Sequence, residues 1–261
     1  MPYVTVDGAK VHYAHRPGGP NPIIFLHGGF GSTSELWEDT MAALPPEWTG
    51  YAIDNFIRSD APPDGYSVTA FARRVKGFCE ALGLKRPVVG GHSMGGVVTQ
   101  LVGATYPDLP GGLVLVCTGA SMANHDLARQ WLKQLADHGA EPGTIRDISA
   151  NWFRSAPEAF FEKYVALAET APLQPMVDVQ ASLIDTDMRP RLGTIKAPTL
   201  VVFGAHDAGR TIDFAQTLTN GIPNARMVTM ADSGHTPMAE TPEVFDTALH
   251  AFLKPIATTA A

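Results

Sequence analysis

Apolar and polar positions alternate along Val4–Val6 and Val11–His15, on either side of Asp7-Gly8, which predicts two strands joined by a hairpin. Ile23–Leu26 does not alternate. Four apolar residues in a row mark a strand buried on both faces. Tyr51–Ile53, Val88-Val89, Leu113–Val116, Thr199–Phe203 and Ala225–Met230 predict further short strands. Between them the period lengthens. Val68, Phe71, Val75, Phe78 and Leu82 fall on one face of a helix that Gly83 stops. Ser34 is a candidate cap for a helix running to about Leu44 and ended by Pro45-Pro46. Another helix follows Ser93 and ends near Tyr106-Pro107, and two more are expected at Ile212–Asn220 and Pro242–Phe252. Asp54–Gly65 reads as loop, and Ala257–Ala261 as a frayed tail.

Strands that alternate with helices imply an α/β fold: a mainly parallel sheet with helices on both faces. The rhythm breaks between Ser121 and Arg191. No strand pattern occurs there, but Leu127–Ala136, Thr144–Phe153 and Ala159–Glu169 have helical spacing. Their aromatics (Trp131, Trp152, Phe153, Phe160, Phe161 and Tyr164) exceed what one thin layer needs. Residues 1–120 and 192–261 are therefore expected to form the core. Residues 121–191 are expected to cap the sheet's carboxyl edge, where open α/β sheets bind ligands.

Composition narrows the classes of function. The chain has 261 residues, 45% apolar and 17% charged, with 25 glycines and 21 prolines, an ordinary globular make-up. A net charge of −7 without basic clusters argues against a nucleic-acid partner. No apolar run approaches a membrane span, and Met1–Lys10 has no leader pattern. Cys79 and Cys117 show no metal-ligand spacing, and the histidines are scattered, so neither a metal nor a cofactor is expected. Buried free thiols point to a reducing, cytoplasmic compartment. Monomer and homodimer are both compatible with the sequence.

The chemistry centres on Gly91-His92-Ser93-Met94-Gly95, a G-x-S-x-G segment between a short apolar strand and an apolar helix. That context suits a nucleophile elbow, with Ser93 at the tip of a strained turn. A serine needs a base, and the base needs an orienting carboxylate. Asp207 follows the Thr199–Phe203 strand and His235 follows the Ala225–Met230 strand, so both share the sheet edge of Ser93. Asp54, Asp213 and Asp232 are alternative acids. An oxyanion hole would use the Met94 N–H and a donor from His27-Gly28-Gly29-Phe30, with Gly29 the first choice and Phe30 the second. His27 is expected to bridge loops, and His92 and His206 to point away from the site.

These motifs resemble the α/β-hydrolase superfamily over nearly the whole chain, and within it small cap-bearing esterases and lactonases, including enol-lactonase-like hydrolases. The resemblance implies an α/β-hydrolase fold: an eight-stranded, mostly parallel sheet flanked by helices, with a helical cap after the sixth strand. It implies a cofactor-free hydrolase cleaving a small ester or lactone through an acyl-enzyme. Carbon–carbon bond hydrolysis or peracid formation would use the same triad, and a hydrolase-like small-molecule receptor with little turnover is the alternative from another class. Some relatives take the acid from the loop after the previous strand, but Cys117-Thr118-Gly119-Ala120 has no carboxylate, which favours Asp207. Asp54–Asp60 departs from the family's D-x-x-G-x-G-x-S-D segment, being two residues shorter and without glycines. Phe30, Trp37, Trp131, Trp152, Phe153, Phe160 and Met238 are candidate pocket residues, and Arg210 is a candidate for holding a substrate carboxylate.

Overall fold

A computed structural model describes residues 2–30, 32–122, 126–139 and 143–259. The apolar runs form eight strands: β1 (Tyr3–Val6), β2 (Ala9–Arg16), β3 (Asn21–Leu26), β4 (Trp48–Ile53), β5 (Val88–His92), β6 (Gly112–Val116), β7 (Thr199–Gly204) and β8 (Ala225–Met230). They lie in the order β1-β2-β4-β3-β5-β6-β7-β8. The β1–β2 and β2–β4 pairs are antiparallel and every other neighbouring pair is parallel. This is the eight-stranded sheet of an α/β-hydrolase fold. Helices α1 (Glu38–Ala43), α2 (Val68–Leu82) and α3 (Met94–Thr105) connect the first strands. Helices α4 (Asp126–His138), α5 (Thr144–Ala150), α6 (Glu158–Ala168) and α7 (Leu173–Asp185) lie between β6 and β7. Helices α8 (Ile212–Gly221), α9 (Pro237–Glu240) and α10 (Pro242–Thr259) close the chain.

Successive side chains of a strand point to opposite faces, so each continuous apolar run feeds two cores. Ile24, Leu26, Val89, Leu113 and Leu115 pack with α2, α3 and α8. Their neighbours Ile23, Phe25, Val88, Val114 and Val116 pack with Trp37, α1 and α10. The α2 prediction holds at both ends: the Ser67 hydroxyl accepts from the Ala70 N–H, and Gly83 takes the left-handed C-cap conformation at φ 66°. Among the described residues no helix is long and apolar enough to cross a membrane.

Several boundaries differ from the sequence reading. Thr33, not Ser34, caps the segment after β3, because Thr33 is the residue in extended conformation and its hydroxyl accepts from the Glu35 N–H. Ser34–Trp37 then forms a 3-10 turn before α1 begins. The expected helix Thr144–Phe153 stops at Ala150, where the Asn151 side-chain amide donates to the Asp147 and Ile148 carbonyls. Helix α7 was not anticipated because Pro172 and Pro175 flank and interrupt its start. Pro175 falls in the first turn, where backbone N–H groups have no intrahelical acceptor, so it costs little. The tail is helical through Thr259, and Ala260-Ala261 lie outside the described residues.

The contact between α1 and α10 carries a pH-dependent cost. Half-buried Asp246 has its Oδ1 without a hydrogen-bond partner. Burial, with the nearby charge of Asp39 adding, pushes its carboxyl up to about 6. A raised folded-state value favours the protonated form, so this group weakens the fold as pH rises through 6 and is neutral to stability below the unfolded value near 4. Asp246→Asn is expected to raise Tm at pH 8 by ~2–4 °C, corresponding to about 1 kcal/mol after allowance for solvent screening. At pH 3.5 it should leave Tm unchanged. Thermal melts at both pH values check this, and an equal shift at both would contradict it.

Candidate active site

Strand β5 ends at His92 and α3 begins at Met94, which leaves Ser93 alone as the turn, at φ 52° and ψ −115°. Such a conformation costs a non-glycine residue ~1–3 kcal/mol and needs its surroundings to hold it. The Ser93 N–H donates to the Val116 carbonyl at 2.9 Å. The Ser93 carbonyl accepts from the Thr118 hydroxyl at 2.7 Å and the Gly96 N–H at 3.0 Å. Both terminal glycines of the motif are sterically required. A Cβ at Gly91 would lie 2.1 Å from the Gly95 carbonyl oxygen, and one at Gly95 would lie 2.5 Å from the Leu26 carbonyl oxygen.

The loops after β7 and β8 meet beside this turn. His235 Nδ1 is 2.7 Å from Asp207 Oδ2, and both residues are buried. Asp207 Oδ1 accepts from the N–H groups of Gly209, at 2.8 Å, and Arg210, at 3.0 Å. Burial alone would push the Asp207 carboxyl up, but the charge and hydrogen bond of His235, then Arg210, outweigh it and hold it below the usual range. The other candidate acids lie elsewhere. Asp54 is buried within its own loop, bonded to the Phe56 and Ile57 N–H groups and to Arg58, while Asp213 and Asp232 are exposed.

Ser93 and His235 line one cavity with Gly28, Gly29, Phe30 and Met94, so the proposed oxyanion donors adjoin the serine. Helices α4, α6 and α7 and the connection between α5 and α6 supply the roof. Trp131, Trp152, Tyr164, Gln180 and Leu183 line it, and Phe30 makes edge and tilted contacts with Trp131 and Trp152 at 5.8 and 5.4 Å. Four of the expected pocket residues lie outside this cavity. Trp37 stacks on Phe25 at 4.7 Å, and Met238 is buried in the same core. Phe153 packs among Phe160, Phe161 and Tyr164, and Phe160 borders a separate cleft with Ser32 and Glu38. Gln180 is the notable residue missed. It sits at the core spacing of α7 with Met176, Val179 and Leu183, and a polar residue in that register is the signal that marks it. Its amide nitrogen would be 1.9 Å from a Cβ at Gly29, so Gly29 leaves the room that the Gln180 amide occupies.

His92 does not point away. Its Nε2 is 2.8 Å from the His235 carbonyl, which requires that nitrogen to carry the proton, and its Nδ1 has no partner. Burial, then the neighbouring His235, lower its value to about 3, so the ring stays neutral. His206 is exposed. His27 does bridge loops: its Nε2 accepts from the Asn55 N–H at 2.9 Å. The shortened Asp54–Asp60 loop contributes no residue to the cavity; Arg74 and the Lys10 backbone tie it down. Cys117 lies beside Asp207 and His235, with one potential ligand atom of each within 4.8 Å of the others. Burial pushes its thiol far up, and a protonated thiol is a poor metal ligand.

One carboxylate pins the loop that carries His235. Glu240 accepts from the N–H groups of Gly234 and Thr236, which flank His235, and from Arg154 and Ser155 in the α5–α6 connection. The His235 N–H donates to the Trp152 carbonyl. Glu240→Gln keeps the size but replaces an acceptor with a donor. It is expected to lower stability by ~2 kcal/mol and Tm by ~4–8 °C. With His235 less well held, kcat should fall roughly 10-fold. Melts and steady-state kinetics check this, and wild-type values for both would contradict it.

Comparison with known proteins gives consistent relatives. Residues 23–248 match the family described as the alpha/beta hydrolase family. The 2-hydroxy-6-oxo-6-phenylhexa-2,4-dienoate hydrolase of Comamonas testosteroni is 29% identical, over 94% of this chain and 91% of its own. A hydrolase from Pseudomonas aeruginosa superposes with a TM-score of 0.86 at 26% identity, covering 97% of each chain. The enol-lactonase from Burkholderia xenovorans superposes with a TM-score of 0.84 at 23% identity, over 97% of this chain and all of its own, a likeness of fold.

Proposed function

The chain belongs to the alpha/beta hydrolase family, and from that premise we propose that it is a serine hydrolase of carboxylic esters or lactones, with Ser93 as nucleophile, His235 as base and Asp207 as orienting acid. The observation that carries this reading is the 2.7 Å bond from Asp207 to His235, which lines one cavity with Ser93. His235 Nε2, the ring nitrogen not engaged by Asp207, takes the Ser93 proton as the hydroxyl attacks the carbonyl. The amides of Met94 and Gly29, with Phe30 the alternative to Gly29, stabilise the oxyanion. The alcohol leaves with the His235 proton, and water activated by the same base releases the acid. Helices α4–α7 act as a cap. The cavity volume of about 20 Å³ holds a water rather than an acyl chain, so the cap shifts to admit substrate.

The Comamonas relative supports a second reading. The dienoate in its name is a keto acid without an ester, so the same groups acting on such a compound would cleave a carbon–carbon bond. Turnover of p-nitrophenyl butyrate and a simple γ-lactone, identified by their acid products, tests the first reading. Cleavage of a keto acid with neither ester turned over would favour the second.

A further inference from the structure

Arg210 is a buried cation whose guanidinium makes no ion pair with a described carboxylate, although the charge of nearby Asp207 acts on it. It is 5% exposed and lines the catalytic cavity. Its Nη1 donates to the Gly209 carbonyl at 2.8 Å, its Nη2 meets the Met122 thioether sulfur at 3.1 Å, and its Nε has no partner. The guanidinium lies over the Phe214 ring at 5.4 Å. No ion pair joins it to any described carboxylate. Asp207, the nearby acid, accepts from the Arg210 backbone N–H rather than from the guanidinium, and directs its other oxygen at His235.

Burying a charge is expensive unless an opposite charge and hydrogen bonds compensate it. Burial lowers the Arg210 value to about 10, so the group keeps its charge at neutral pH. Glycine carbonyl, thioether and aromatic ring are weak partners for a five-donor fork that matches a carboxylate in two-point contact. Among the described residues that line the cavity none is acidic, and Asp207 beside it is engaged by His235 and by backbone N–H groups.

We propose that Arg210 is a specificity residue that binds a carboxylate on the substrate, so that the preferred substrates are carboxylate-bearing esters or lactones, such as monoesters of short dicarboxylic acids. The proposal rests on the serine-hydrolase reading for the reaction, but the anion site itself stands on the guanidinium. The carboxylate occupies the donors left free on Arg210 while the scissile carbonyl sits at Ser93. Gln180 and His92 add polar side chains to the lining of the same cavity.

The test pairs two measurements. The first is kcat/KM for mono-p-nitrophenyl glutarate and for neutral p-nitrophenyl butyrate, in wild type, Arg210→Gln and Arg210→Lys. Wild type is expected to prefer the glutarate ester. The preference should fall by roughly 10- to 100-fold in Arg210→Gln, chiefly through KM, and by less in Arg210→Lys. The second is calorimetric titration of glutarate and of neutral glutaramide into wild-type protein, which needs no variant to fold and no turnover. Saturable binding of glutarate and not of glutaramide is expected. No preference between the esters in wild type, or an unchanged preference in a folded Arg210→Gln, overturns the proposal, as does equal binding or absence of binding of the two titrants. If neither ester is hydrolysed while glutarate still binds, the serine-hydrolase reading fails and the anion site stands.

Discussion

Ser93→Ala is expected to lower kcat/KM for p-nitrophenyl butyrate by on the order of 10⁴-fold or more while leaving Tm within a few degrees of wild type. The two effects separate because the residue's structural and chemical parts are separate. What holds the turn is backbone: the Ser93 N–H on Val116 and its carbonyl on Thr118 and Gly96, all of which alanine keeps. The positive φ at this position strains serine and alanine alike. What the substitution removes is the hydroxyl that the proposed mechanism has His235 activate. A serine that only terminated β5 would show wild-type turnover after the change, and that result would remove Ser93 from the mechanism.

Gly91→Ala is expected to be among the most damaging single-methyl additions in the chain. The new Cβ would sit 2.1 Å from the Gly95 carbonyl oxygen, 2.3 Å from its carbon and 2.5 Å from the Thr99 hydroxyl. Two of those three atoms are backbone, at the start of α3, and the third is a hydroxyl already donating to the Gly95 carbonyl. None can swing aside as the end of a flexible side chain does. Strand and helix must part, at a cost of about 3 kcal/mol or more and a fall in Tm of ~6–12 °C. Activity falls as well, because the shift moves Ser93. Gly193→Ala is the matched control. A Cβ there meets nothing within 4 Å and no positive φ is involved, so stability should stay within ~0.5 kcal/mol. Similar Tm values for the two variants would show that the elbow's tightness is not what these contacts imply.

The sheet was legible because strands buried on both faces leave continuous apolar runs, as Ile23–Leu26 and Leu113–Val116 do. The placing of Asp207 and His235 on one edge followed from that alternation. What the sequence hid has physical causes. Helix α7 was masked by prolines that are harmless in a first turn. Trp37 and Met238 looked like pocket residues because apolarity does not say which face of the sheet a side chain joins. Gln180 and Glu240 were invisible because their partners, the Gly29 loop and the backbone around His235, come from distant parts of the chain. Arg210 was legible as a residue near Asp207, but its unpartnered Nε emerged only from the packing of Met122, Gly209 and Phe214 around it.

The most direct measurement of the central claim is covalent trapping. Incubation with a fluorophosphonate, followed by peptide mass spectrometry, is expected to give a single stoichiometric phosphonyl adduct on Ser93, complete loss of ester turnover, and no adduct in Ser93→Ala. A stoichiometric adduct on another residue, or full ester turnover in protein carrying the Ser93 adduct, would contradict it.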